Sequence, residues 1–188
     1  MLKDLIKKNR SYRRFHQDKT IDKETLIELI DLARLSPSAR NAQPLKYYIS
    51  NDDTTNDKIF HHLAWAGYLK DWNGPAKGEQ PSAYIVLLND TTISANYFCD
   101  DGIASQSILL GAVEKELGGC IIGSVNRLQL QRELGINDQY KIVHVIALGY
   151  PKEEIDLEEM KDNNHIYWRD VNDKHHVPKR SIDEIIID

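Results

Sequence analysis

The chain is 188 residues long, 41% apolar and 28% charged, which suits one globular domain with a real core and excludes a disordered or membrane-embedded class. Its formal charge of −5 argues against bulk affinity for nucleic acid, and no apolar run approaches the roughly 18 residues of a membrane helix. Charges within Met1-Leu2-Lys3-Asp4-Leu5-Ile6 stand where a signal peptide needs its apolar segment, so a cytoplasmic location without membrane attachment is expected. Two cysteines, Cys99 and Cys120, are too few for a disulfide framework or a thiolate zinc site. The pairs His61-His62 and His175-His176 point their rings in different directions on any regular element, so no metal site is expected.

Leu2, Leu5 and Ile6, interleaved with lysines, predict a short amphipathic helix. It leads into Asn9-Arg10-Ser11-Tyr12-Arg13-Arg14-Phe15, where three arginines and a serine form either an anion clamp or a solvated basic turn. Asp22 is a good N-cap, with Ile21 able to staple against Leu26, for a helix whose apolar face carries Leu26, Ile30 and Ala33. That helix stops at Ser36, because Pro37 disfavours helical dihedrals in the residue before it. The stretch from Pro37 to Pro44 is small and polar, either a plain connector or a rigid polar rim around a ligand. Tyr47 to Ile49 leave it as a strand.

Asn56 to Gly67 shows a second helical pattern through Ile59, Phe60, Leu63 and Ala66. The long connection to Pro81 is broken by glycine and proline; Trp65, Tyr68 and Trp72 in and before it either stack on a ligand or pin the loop to the core. Ala83 to Leu88 and Ile142 to Leu148 are apolar runs of the kind buried on both faces. Tyr97 to Leu117 is the longest helical segment, small or apolar around most of its circumference, which suits a helix shared with a partner subunit. Gly118 to Ser124 predicts a glycine turn where backbone comes close to a ligand, although neither a dinucleotide fingerprint nor a P-loop occurs. Asn126 with Gln129 resembles a capping box for a short helix that ends at Gly135.

Lys152 to Asn164 is highly charged and expected to be exposed. An irregular hairpin is expected around Asp170 to Lys174. Ser181 with Glu184 then opens a last helix as a capping box, and Lys179 with Arg180 stands just before it, where the helix dipole also favours an anion. The order of elements indicates an α+β or mixed α/β fold.

Four stretches carry a resemblance. They are Arg10-Ser11-Tyr12-Arg13-Arg14-Phe15; Ser36-Pro37-Ser38 through Asn41-Ala42-Gln43-Pro44; Gly119-Cys120-Ile121-Ile122-Gly123 with Ala147-Leu148-Gly149-Tyr150-Pro151; and Val177-Pro178-Lys179-Arg180. Together, over essentially the whole chain, they resemble the FMN-dependent nitroreductase family. The resemblance implies a single domain, 1–188, with a central, mostly antiparallel sheet surrounded by helices in an intertwined homodimer. A C-terminal tail, 152–188, would wrap the partner subunit. Arg10, Ser11 and Arg13 would hold the phosphate and ribityl end of FMN, joined by Lys179 and Arg180. Pro37, Ser38 and Asn41 would come from the other chain, with Arg40 reaching the flavin edge. Ile122 and Gly123 match the backbone that meets the flavin ring near N5. Three positions depart from the pattern: Asn9 stands for a frequent arginine, Leu45 for a tryptophan, and Glu116 for a glycine.

The activity implied is a ping-pong transfer from NADH or NADPH, through flavin N5, to a nitroaromatic, a quinone or a related small acceptor. No side chain is then needed as general acid, base or nucleophile. A flavin-binding or flavin-handling protein without turnover is the alternative.

Overall fold

The structure is a computed structural model that describes residues 1–187; residue 188, the end of the expected domain, lies outside the described residues. In chain order it has α1 (Leu2–Lys8), α2 (Lys23–Leu35), β1 (Leu45–Ser50), α3 (Asp53–Phe60), β2 (Ala83–Asp90), α4 (Asp100–Glu114) and β3 (Gly118–Ile122). Then come α5 (Arg127–Glu133), β4 (Tyr140–Gly149), β5 (Ile155–Glu159), β6 (Trp168–Arg169), β7 (His175–Lys179) and α6 (Ile182–Ile185). This is the expected mixed α+β fold.

The central sheet has the order β1-β2-β4-β3 and is antiparallel at every pairing. Its two middle strands are the continuous apolar runs, and both faces are covered. Ala83 and Ile85 of β2 with Ile146 and Leu148 of β4 pack against Leu26, Leu29 and Ala33 of α2 and Ile108 and Ala112 of α4. Tyr84, Val86 and Leu88 face the other way, with Val145 and Ala147, against Ile59 of α3, Leu130 of α5 and Trp65. A strand that alternates between two cores must be apolar at every position, which is why these runs show no polar alternation.

Local signals account for most helix ends. Asp22 accepts from Thr25 N at 2.6 Å, and Ile21 is buried in the same cluster as Leu26. The helix ends at Leu35, with Ser36 in extended conformation before Pro37. Three expectations need correction. The second helical pattern starts and ends earlier, at Asp53–Phe60, because Asp52 caps it by accepting from Thr55 N at 2.9 Å. Asn126 makes no side-chain cap. Helix α4 is not buried all round: Ala104, Ser105, Ile108, Leu109, Gly111 and Ala112 are covered, whereas Gly102 and Gln106 are exposed and Ile103, Ser107 and Leu110 are half-buried.

Most of residues 152–164 are exposed, as expected, yet the tail is not irregular. It folds back as a three-stranded sheet, β5-β7-β6, with β5 parallel and β6 antiparallel to β7. Glu153, the second residue of the charged run, is buried. The hairpin around Asp170 to Lys174 forms as expected, Asp170 N and Lys174 O closing it at 3.1 Å.

Candidate functional site

The glycine stretch 118–122 is a strand rather than a turn, and its glycines serve close approach. A Cβ on Gly119 would stand 2.7 Å from the Ala147 carbonyl oxygen and 2.6 Å from Leu109 Cδ2; one on Gly118 would stand 2.5 Å from the Tyr12 ring. Bare backbone there lets the N-terminal segment run alongside β3. Ser11 bridges to Gly119, and Tyr12 N donates to Gly119 O at 3.0 Å. Phe15, fully buried against Gly149, anchors the segment's far end.

This docking presents Arg10, Ser11 and Arg13 to a cavity of about 350 Å³. Its opposite wall is β7. Strand alternation turns His175, Val177 and Lys179 to the cavity and His176 and Pro178 away from it. Gln106 and Leu109 of α4 complete the floor, and no carboxylate lines it. Among the described residues, Arg10, Arg13 and Lys179 form no ion pair with any carboxylate. Arg10 Nη2 donates to Ile6 O at 2.8 Å, its Nε is buried without a partner, and burial lowers its pKa. Arg13 Nη1 donates to Ser11 O at 3.2 Å and lies 3.4 Å from His175 Nε2, with its guanidinium 4.9 Å from the Tyr167 ring centre. The third arginine behaves differently. Arg14 Nη1 pairs with Asp173 at 3.2 Å and its Nε lies 3.6 Å from Glu153 Oε2, so its charge is spent inside the fold.

Glu153 is the residue that the sequence hid. Its carboxylate accepts the Arg13 backbone N–H and an Arg169 Nη2–H at 3.0 Å, beside Arg14. Arg169 in turn stacks 4.3 Å over the Trp72 ring. One buried carboxylate therefore ties the N-terminal segment, the tail sheet and the aromatic loop together. That loop has a structural duty: Trp65 and Trp72 pack in the core, while Tyr68 stays half-exposed against Tyr167.

Ile122 and Gly123 line an adjoining cavity of about 150 Å³ with Arg13, Tyr167 and the backbone from Ala64 to Gly67. Nothing would stand within 4 Å of a Cβ on Gly123, so the space beside that residue is open.

Pro37 and Ser38 are not brought to either cavity. They line a third one, of about 260 Å³, with Tyr47, Asp100 and Ala104. Asp100 organises this loop: Ser38 Oγ donates to it at 2.6 Å, Ala39 N at 2.8 Å, and Gln43 N donates to Ser38 Oγ at 2.9 Å. Arg40, Asn41 and Gln43 all have left-handed backbones, with φ of 55°, 54° and 52°. Arg40 reaches over the exposed Phe98 ring. Burial and the Asp100 charge push the Tyr47 phenol up to about 12. Arg180 stands outside the cavities, 3.5 Å from Glu184. The N-terminus of α6 is no open anion site either, since Glu184 accepts from Ser181 N at 2.9 Å.

Ser105 Oγ lies 2.8 Å from His144 Nε2, and Asp101 lies 3.9 Å from Nδ1. The order mimics a hydrolytic triad, but Ser105 is fully buried and no substrate carbonyl can reach it. Among the described residues no group of His, Cys, Asp and Glu is placed to hold a metal ion, and no helix is long and apolar enough to cross a membrane.

Residues 6–150 match the profile of the Nitroreductase family. The chain is 29% identical over 157 residues to a putative NADH dehydrogenase/NAD(P)H nitroreductase of Archaeoglobus fulgidus, covering 79% of this chain and 85% of that one. A crystal structure of a putative NADH dehydrogenase/NAD(P)H nitroreductase from Parabacteroides distasonis superposes with a TM-score of 0.65 at 27% identity, over 86% of this chain and 91% of that one. An FMN-dependent nitroreductase from Clostridium difficile R20291 shares the fold, with a TM-score of 0.64 at 23% identity over 85% and 90% of the two chains. The segment that docks on β3 and the glycines that admit it both lie inside the matched range, and the chain belongs to the nitroreductase family of oxidoreductases.

Proposed function

We propose that this chain binds FMN in the cavity between its N-terminal segment and β7, and uses NADH or NADPH to reduce a small acceptor such as a nitroaromatic or a quinone in ping-pong fashion. The observation that carries this reading is a cavity holding Arg10, Arg13 and Lys179 with no carboxylate in its lining. Three cations gathered without counter-charge suit a phosphate dianion, whose oxygens accept from forked guanidinium donors. The buried, unpartnered Arg10 Nε is a further donor lacking an acceptor. Bound there, the flavin supplies hydride acceptance from a nicotinamide and delivery to the acceptor.

The residues around it have separable tasks. Arg10, Ser11, Arg13 and Lys179 bind the phosphate and ribityl end, with Arg180 nearby at the end of β7. The Ile122–Gly123 backbone offers open space for a flat ring. The Ala64–Gly67 segment and Tyr167 border that space.

The second half of the reading is a homodimer. Pro37, Ser38, Arg40 and Asn41 lie apart from the cationic cavity of their own chain, which supports their serving the cofactor of a partner. The strained backbone of their loop fits a binding role, since three left-handed non-glycine residues persist only where surroundings hold them. The incompletely covered face of α4 and the exposed Leu2, Ile6, Ile182 and Ile185 support an apolar interface and a tail end that reaches across it.

Anaerobic addition of NADH or NADPH to yellow holoprotein tests the reading, and bleaching is the expected result. Colourless protein that fails to retain added FMN overturns it. Yellow protein unbleached by either nucleotide assigns the chain to flavin handling without turnover. Arg13→Ala is expected to weaken FMN binding by about 1.5–3 kcal/mol, the contribution of a hydrogen bond to a charged group.

A further inference from the structure

We propose that Tyr167 is a positioning residue for the cofactor site: its ring holds the Arg13 guanidinium in place and leaves that charge free for the ligand. The inference rests on the FMN reading of these cavities and adds to it the residue that keeps Arg13 poised.

Arg13, Ile121 and Tyr167 line both the cavity of about 350 Å³ and the adjoining one of about 150 Å³. Arg13 therefore stands at their junction, where a ligand reaching from one into the other must pass. Its guanidinium lies 4.9 Å from the Tyr167 ring centre. Nη1 donates to Ser11 O at 3.2 Å and stands 3.4 Å from His175 Nε2, which can only accept there. Among the described residues, Nη2 and Nε make no hydrogen bond, and no carboxylate pairs with the side chain. A carbonyl oxygen, an imidazole and an aromatic face are its whole support.

The neighbouring Arg14 is held in the opposite way, by the carboxylates of Asp173 and Glu153. A carboxylate fixes a guanidinium firmly, but it also cancels the charge and competes with an anionic ligand for the same donors. The face of an aromatic ring attracts a cation through its quadrupole without neutralising it. An arginine lacking any such support samples many rotamers, and a ligand that must first order it binds more weakly.

The support is itself anchored. The half-buried Tyr167 ring packs 5.0 Å from that of Tyr68 and 5.2 Å from that of His175, and its hydroxyl accepts from Tyr68 N at 3.4 Å. The next two residues, Trp168 and Arg169, form β6 against β7, and Arg169 donates to the buried Glu153 at 3.0 Å. The aromatic loop and the tail sheet thus set the ring from two sides. Arg13 meets the ring face, whereas the hydroxyl is used by Tyr68, so phenylalanine is the conservative replacement.

The test is a double-mutant cycle on FMN affinity, read by fluorescence titration of the apoprotein with Tyr167→Leu, Arg13→Gln and the two combined. Tyr167→Leu is expected to raise the dissociation constant about fivefold, the effect of losing one partly exposed cation–π contact. In the Arg13→Gln background the same substitution is expected to change it by less than about twofold, because no cation remains to be held. Tyr167→Phe keeps the ring face and is expected to bind FMN within about twofold of wild type. Thermal unfolding of each apoprotein identifies a variant that has lost its fold, and Tyr167→Met then replaces Tyr167→Leu in the cycle. Wild-type affinity in Tyr167→Leu, an equal loss with and without the Arg13 guanidinium, or a loss in Tyr167→Phe as large as in Tyr167→Leu overturns the inference. Failure of the wild type to bind FMN instead overturns the cofactor reading beneath it.

Discussion

Replacing Glu153 with glutamine tests whether one buried carboxylate holds the site's three segments together. The side chain is fully buried and faces Arg14 and Arg169, whose side chains are 13% and 11% exposed. Glutamine preserves shape and leaves an oxygen for the Arg13 N–H, but it removes the negative charge, leaving the poorly solvated Arg169 guanidinium without its paired carboxylate and Arg14 with Asp173 alone. Breaking a buried ion pair by neutralising one partner costs about 3–5 kcal/mol, far above the roughly 0–1 kcal/mol of a surface pair. Against a total stability of about 5–15 kcal/mol this is a large fraction. Urea unfolding of the apoprotein at fixed protein concentration measures it, and at a slope near 2 kcal/mol per molar the midpoint drops by about 2 M. Arg169→Met in the Glu153→Gln background relieves part of the uncompensated charge, so the double variant is expected to recover stability relative to Glu153→Gln alone. A Glu153→Gln midpoint within about 0.3 M of wild type, or a double variant weaker than Glu153→Gln, refutes the charge argument.

Other perturbations address neighbouring parts of the structure. Asp100→Ala removes the acceptor of Ser38 Oγ and Ala39 N, and is expected to cost about 2–4 kcal/mol and to raise the FMN dissociation constant, measured by denaturation and flavin titration. Gly119→Ala is expected to destabilise by about 1–3 kcal/mol, because its Cβ meets a backbone carbonyl that cannot move aside; a neutral result in thermal unfolding would refute that. The pH dependence of stability follows from two buried histidines. Burial lowers the pKa of His144, and burial with neighbouring charges lowers that of His175 to about 4, so the unfolded chain binds more protons below its normal histidine pKa. Apoprotein stability is therefore expected to fall as pH drops from about 6.5 toward 4, and His175→Gln to flatten part of that slope in acid titrations followed by circular dichroism.

Signals confined to a few neighbouring residues determined much of the fold. Asp22, Ile21 and the Ser36-Pro37 pair mark both ends of α2, and Ser181 with Glu184 forms the capping box that their spacing implies. The apolar runs in β2 and β4 announced burial on both faces, since alternation disappears when each side meets a core. The sequence also brought forward the clusters Arg10 to Arg14 and Lys179 with Arg180, since residue type is visible without coordinates, and of these Arg10, Ser11, Arg13 and Lys179 share one cavity.

Tertiary structure decided the rest. A glycine pair reads equally as a turn or as a strand that another chain segment must approach, and only Tyr12 and Ala147, far away in sequence, settle Gly118 and Gly119 as strand. Of three arginines in one short run, Arg14 is turned from the cavity toward Asp173 and Glu153, the latter a residue that looks like one more charge in a solvated tail. Asp100 and His175 gain their importance in the same way, through contacts with Ser38 and Arg13 that no local pattern encodes. Capping and periodicity act over a turn or two of chain, whereas burial and pairing of charge depend on which distant segments meet.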